Sequence, residues 1–268
     1  MLIDTVRKLV PMRVRQDLGL WTAAQAGKSK YLLYPYYFLL CGQVPKDLVL
    51  LPDGDCEVKY RRIKVRAPRD GILAFIEVFQ DEIYERHGCP QPEDVVIDVG
   101  AYVGMFTVQA SDKVGPRGRV VAIEPAPENF KHLRGNTDKL GNTIRVQKAA
   151  YNYTGEGKLS ISRASPCHTL VYDHKDGIQV EVITLDRLAQ DLGLLKVDFI
   201  KIDAEGSELG ILEGAETLLR NNNVRLAVAA YHDIGLGKNE GWEVVRFLRK
   251  RGYKAILDNR YVYAEKVR

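Results

Sequence analysis

From residue 95 onward, short β-branched runs alternate with longer segments whose apolar residues recur every three or four positions. Unbroken apolar runs of this length mark parallel strands buried on both faces, and the segments between them mark covering helices. Val95 to Asp98 is the first strand, Arg119 to Ile123 the second and Ile144 to Val146 the third. Val197 to Ile202 is the fourth and Val224 to Ala230 the fifth. Helices are expected over 103–114, over 127–140, from Leu185, after a cap at Ser207, and over 242–250. The one after Ser207 would present Leu209, Leu212, Leu218 and Leu219 to the core. Lys158 to Ser162 and Gln179 to Ile183 form two further strands around a polar loop, and residues 252–256 and 260–264 make a closing hairpin through Asp258-Asn259. Strands and helices in this alternation mean βαβ units, and so an α/β fold around a mostly parallel sheet.

The first 70 residues break the pattern and form a separate extension, with the main domain over 71–268. Val6 to Leu20 reads as a basic amphipathic helix. Tyr31 to Leu40 is the most apolar patch in the chain. A bilayer span needs roughly 20 apolar residues, so this patch, interrupted by Pro35, is too short to cross one. Nor does it resemble a signal peptide, since it starts late and lacks a small-residue cleavage site. It is expected to pack on the main domain, with peripheral membrane contact or an oligomer contact as the minority reading. Glu57 to Ala67 alternates like a strand, Pro68 to Gly71 is a turn, and Ile72 to Phe79 leads into a helix or lid ending near Gly88.

Charge sharpens this division. Residues 1–70 carry 13 Lys or Arg against 7 Asp or Glu, whereas the other 198 carry 26 against 28. The basic extension suits a solvated face first, and an anionic partner second. The cysteines Cys41, Cys56, Cys89 and Cys167 lie far apart, which argues against a zinc knuckle or a disulfide scaffold and favours a reducing, cytoplasmic setting.

The candidate chemistry gathers where strands should end. Asp98-Val99-Gly100-Ala101-Tyr102-Val103-Gly104 leaves the first strand through two glycines, in the crevice where open α/β sheets bind ligands. Gly100 frees the turn and Gly104 allows a ligand or helix to approach. Glu124, followed by Pro125, ends the second strand where a carboxylate can accept both hydrogen bonds of a ribose diol. That role would serve a nicotinamide cofactor equally well, but a dinucleotide loop needs Gly-x-Gly-x-x-Gly and Tyr102 stands in it. Asp203, Glu205 and Glu208 crowd the end of the fourth strand, where Glu208 reads as an ordinary first-turn helix acid. Lys201, inside an otherwise apolar strand, is expected to pair with a carboxylate. Tyr231-His232-Asp233 ends the fifth strand, and His232 suits proton removal near neutrality; His168 is a weaker candidate.

These blocks, together with Thr184-Leu185-Asp186 and Lys201-Ile202-Asp203-Ala204-Glu205-Gly206-Ser207-Glu208, resemble the FkbM family of S-adenosylmethionine-dependent methyltransferases over roughly residues 72–233. The resemblance implies a Rossmann-like class I methyltransferase fold, with a seven-stranded mostly parallel sheet, helices on both faces and one antiparallel strand from the last hairpin. It implies S-adenosylmethionine as cofactor, bound by Asp98, Gly100, Ala101, Tyr102, Gly104, Glu124, Pro125 and Asp203. It implies O-methylation of a hydroxyl on a sugar, glycan or other small molecule, with Asp203 and His232 as the catalytic candidates. No protein-held metal is expected; a divalent ion on Asp203 and Glu205 is the less favoured route to the same deprotonation. RNA methylation guided by the basic extension is the alternative function, and a nicotinamide-dependent oxidoreductase is a weaker one. Family members commonly carry Asn where Tyr102 stands and often Glu near Tyr231, so the loop's polar contacts and the role of the fifth strand stay open.

Overall fold

The computed structural model describes residues 47–160, 177–230 and 240–267. The expected helix over 6–20, the apolar patch over 31–40, and His168 and His232 lie outside the described residues. The chain divides into two compact units, Met1–Asp81 and Glu82–Arg268.

The first unit holds a three-stranded antiparallel sheet, β1 (Val49–Leu50), β2 (Asp55–Tyr60) and β3 (Ile63–Pro68), paired in that order. The single strand expected over Glu57 to Ala67 is therefore a hairpin that turns at Arg61-Arg62. Arg61 takes the left-handed conformation (φ 52°) without a glycine or asparagine to signal it. Arg66 ties the hairpin to its loop, with Nε 2.6 Å from Asp55 and a second bond to Asp53. A short helix, α1 (Ile72–Phe75), then widens into a π-turn over Ile76–Gln80. Phe79 stacks on Tyr60 with ring centroids 4.5 Å apart.

The second unit is built on a seven-stranded sheet. Its strands are β4 (Val95–Val99), β5 (Arg119–Ile123), β6 (Thr143–Val146), β10 (Phe199–Ile202), β11 (Arg225–Ala229), β12 (Tyr253–Asp258) and β13 (Tyr261–Lys266), in the order β12-β13-β11-β10-β4-β5-β6. β13 alone runs against its neighbours, pairing antiparallel with β11 and β12. The expected fold class is thus observed. The connection between the last two strands turns one residue later than expected, at Asn259 (φ 45°) and Arg260 (φ 79°). Three short strands, β7 (Ala149–Ala150), β8 (Gly155–Leu159) and β9 (Ile178–Ile183), form a side sheet in the order β7-β9-β8.

The helices are α2 (Met105–Val114), α3 (Pro127–Thr137), α4 (Leu185–Asp191), α5 (Glu208–Glu213), α6 (Glu216–Asn221) and α7 (Glu240–Arg249). Alternate strand residues divide between two faces. Ile97, Val99, Val121, Ile123, Ile200, Ile202, Leu226 and Val228 join apolar residues of α4 to α7 in the main core. Ala122 joins Ala101 and Leu133 of α3 on the opposite side. Pro127 starts α3 at a position where its missing N–H is no loss. Thr184 and Asp186 prove to be joints: the Thr184 hydroxyl accepts the Arg187 N–H at 3.1 Å to cap α4, and the Asp186 carboxylate accepts Thr217 and Leu218 N–H at 2.8 Å to cap α6. Ser207 stands at the N-cap of α5 but makes no side-chain cap bond, and the single helix expected after it breaks at Gly214-Ala215 into α5 and α6.

Candidate functional site

Three neighbouring parallel strands, β5, β4 and β10, deliver their carboxyl ends to one edge of the sheet, in register. Each ends within one residue of an acid: Asp98 precedes the last residue of β4, Glu124 follows β5 and Asp203 follows β10. The structure thereby places Asp98, Gly100, Ala101, Tyr102, Gly104, Glu124, Pro125 and Asp203 on or beside the loops at this edge.

The loop after β4 is held mainly through its backbone. Ala101 N–H donates to the Ile123 carbonyl at 2.9 Å, and Gly104 N–H to the Ala101 carbonyl at 2.8 Å. Gly100, Tyr102 and Gly104 all have positive φ, at 68°, 53° and 90°. A Cβ on Gly100 would stand 1.8 Å from the Asp203 carbonyl oxygen, so this glycine lets the β4 and β10 loops touch backbone to backbone. The space that a Cβ of residue 100 would need is filled by the neighbouring loop. Gly104 serves helix packing: a Cβ there would stand 2.7 Å from Leu133 Cδ1.

Beneath that loop lies a buried ion pair. Asp98 is fully buried, accepts the Thr107 hydroxyl at 2.6 Å and lies 3.1 Å from Lys201 Nζ. The ammonium group also donates to the Gly100 carbonyl at 2.6 Å and the Val99 carbonyl at 3.2 Å. Lys201 therefore finds its expected carboxylate, and three acceptors in reach offset much of the cost of burying its charge. Asp98 sits below the loop as a brace.

Glu124 is buried yet borders the same loop. One oxygen accepts Tyr102 N–H at 2.9 Å, and the other accepts Ala126 N–H at 3.0 Å and Asn129 Nδ2 at 3.4 Å. Burial pushes its carboxyl up to about 7, against the pull of those donors and of Lys201. Glu208, expected to be a plain first-turn acid, is instead fully buried and accepts Ala204 N–H at 2.9 Å, pinning the loop after β10. In that loop Glu205 (φ 52°) and Gly206 (φ 95°) both take left-handed backbone.

Asp203 accepts a hydrogen bond of 2.5 Å from the Tyr84 hydroxyl. Tyr84 belongs to a 3-10 turn over Ile83–Glu85, and the sequence carried no period there to single it out. Gly100, Tyr102, Pro125, Asp203, Ala204 and Glu205 are half-exposed and form the accessible lip of the site. Among the described residues, no group of three His, Cys, Asp or Glu side chains is placed to hold a metal ion, and no helix is long and apolar enough to cross a membrane.

Comparison with known proteins adds to this geometry. A model of the methyltransferase FkbM domain matches residues 98–255. Over 224 residues the chain is 29% identical to 31-O-demethyl-FK506 methyltransferase FkbM of Streptomyces tacrolimicus, covering 70% of this chain and 84% of that protein. Over 134 residues it is 27% identical to the hexuronic acid methyltransferase AglP of Haloferax volcanii, covering 50% of this chain and 54% of that one. Among solved structures, methyltransferase FkbM from Methylobacillus flagellatus KT aligns with 20% identity and a TM-score of 0.48, covering 74% of this chain and 53% of that one.

Proposed function

The chain belongs to the FkbM methyltransferase family, and from that premise we propose that it transfers the methyl group of S-adenosylmethionine to a hydroxyl on a sugar, glycan or other small molecule. The observation that carries the cofactor reading is Glu124. A desolvated carboxylate at a strand end beside that loop takes one backbone donor on the oxygen facing Tyr102, and a ribose hydroxyl would add the second there. The accessible lip of Gly100, Tyr102 and Pro125 would lie along the cofactor, with Asp98, Lys201 and Gly104 shaping the loop from below.

When bound, S-adenosylmethionine supplies the electrophilic methyl group of a sulfonium. The protein's part is alignment and proton management. Asp203, at the mouth of β10 beside the β4 loop, would orient the acceptor hydroxyl and take its proton as the oxygen attacks. His232, which follows β11 in the sequence, is the second candidate for that proton. The names of two relatives, a 31-O-demethyl-FK506 methyltransferase and a hexuronic acid methyltransferase, support oxygen as the accepting atom.

Isothermal titration with S-adenosylmethionine and with NAD tests the cofactor. Tight binding of the first and none of the second is expected, and the reverse would refute the reading. Radiolabelled methyl transfer to a panel of sugars, lipids and RNA, with and without chelator, tests the acceptor class and the metal route. Label on RNA alone would replace the small-molecule reading.

A further inference from the structure

We propose, resting on the methyltransferase reading above, that Tyr84 is the positioning residue for Asp203: its buried phenol fixes the direction in which the carboxylate meets the acceptor. The case rests on what holds each partner. Asp203 lies where β10 has ended, in a segment whose next two turn residues, Glu205 and Gly206, carry positive φ and form no regular element. Its backbone is anchored by the Asp203 N–H to Val99 carbonyl bond of 3.1 Å, a main-chain bond that does not itself set the direction of the carboxylate.

Tyr84, in contrast, is fixed by neighbours from three other elements. Its ring meets Phe106 of α2 edge-on at 5.6 Å and Tyr261 of β13 edge-on at 5.8 Å. The Lys201 ammonium of β10 lies 5.2 Å from the ring centroid. One residue back, the Ile83 carbonyl accepts the Tyr263 hydroxyl, which pins the turn itself. A phenol so held, 4% exposed and donating across 2.5 Å to a carboxylate, makes a short charge-assisted bond. Its direction is set by α2, β10 and β13. Lys201 joins the two halves of the site, since the ammonium that touches this ring also grips the Gly100 carbonyl.

Such a role separates the hydroxyl from the ring. Tyr84→Phe keeps the aromatic contacts and removes only the donor. In protein labelled with [4-¹³C]aspartate, where Asp203→Asn assigns the resonance, Tyr84→Phe is expected to move the Asp203 carboxylate signal clear of its wild-type position. Its affinity for S-adenosylmethionine should stay within about threefold of wild type, because the cradle around Glu124 is untouched. On any acceptor that wild type methylates, kcat should fall about 10–100-fold with acceptor KM within about threefold, the usual effect of a misaimed group. Tyr84→Phe combined with Asp203→Asn should cost no more than Asp203→Asn alone. If Tyr84→Phe fails to fold, the reciprocal measurement decides: the Tyr84 ¹³Cζ signal must move in Asp203→Asn. An Asp203 signal unmoved by loss of the hydroxyl, or an additive double variant, overturns the inference. Wild-type protein that binds no S-adenosylmethionine would refute the methyltransferase reading instead, and the carboxylate signal of the free protein would still decide whether Tyr84 holds Asp203.

Discussion

The loops after β4 and after β10 leave adjacent parallel strands at the same edge of the sheet, and both rely on left-handed backbone. They are stabilised by different means. The β4 loop is closed by packing and main-chain bonds: glycines at 100 and 104 admit the Asp203 carbonyl and Leu133, and a buried acid grips Tyr102 N–H. The β10 loop is held by the Asp203 N–H on the Val99 carbonyl and by Glu208 on its Ala204 N–H, and there Tyr84 grips in addition the carboxylate of Asp203 itself. The first suits a cradle that must keep one shape. The second suits a reactive group whose direction is tuned separately from its backbone.

Four substitutions probe that contrast. Asp203→Asn should have the largest effect, lowering turnover by roughly 10²–10⁴-fold with cofactor affinity little changed. Steady-state rates beside calorimetric affinities check this, and normal turnover would move the proton to His232. Gly100→Ala comes next. Its Cβ would overlap the Asp203 carbonyl, so the two loops must part, and a stability loss of about 2–4 kcal/mol in urea unfolding is expected. An unchanged midpoint would show that the loops have room.

Glu124→Gln should weaken S-adenosylmethionine binding by about 10–100-fold, since the amide can no longer accept at both oxygens. The same residue makes a pH statement. Burial raises its carboxyl from 4.5 to about 7, so the folded protein takes up this proton more readily than the unfolded chain. The stability this lends is fully present below about 4.5 and is lost as pH rises through about 7, a change of about 3 kcal/mol. Wild-type urea midpoints should therefore carry a downward component between pH 5 and 8 that Glu124→Gln lacks. A diol on the carboxylate would favour its charged form, so binding near pH 7 should release up to about half a proton, measurable by calorimetry in buffers of differing ionisation enthalpy. Proton uptake would contradict the ribose assignment. Tyr102→Asn should have the smallest effect, a gain of about 1 kcal/mol in thermal stability, because asparagine enters the left-handed region more readily than tyrosine. A lower melting temperature would mean that the tyrosine side chain compensates for its backbone.

The sheet was legible because strands buried on both faces must be apolar runs. Val95, Val121, Ile200 and Val228 all fall in strands read from pattern alone. The acids at strand ends were legible for the complementary reason: a carboxylate closing an apolar run stands out. What escaped lacked a local signal. The turn at Arg61-Arg62 carries no glycine, and only the shift of phase between Val58, Tyr60 and Ile63, Val65 betrayed it. Glu208 looked like a solvated helix acid because its partner, Ala204 N–H, is a backbone group that sequence cannot advertise. Tyr84 acts 119 residues away in the chain, from a turn without periodicity.

The strand order also fixes when the site can exist. β5 and β6 follow β4 within about fifty residues, so that half of the sheet can zip up from nearby segments. β10 closes the site from the other flank only after the side sheet has intervened, and its partner strand β4 lies about a hundred residues upstream. On the ribosome, the β4 loop is thus made long before the carbonyl of Asp203 arrives to fill the gap at Gly100. Until residue 208 has cleared the exit tunnel, the nascent chain holds half a cradle, with Asp98 waiting for the lysine that neutralises it.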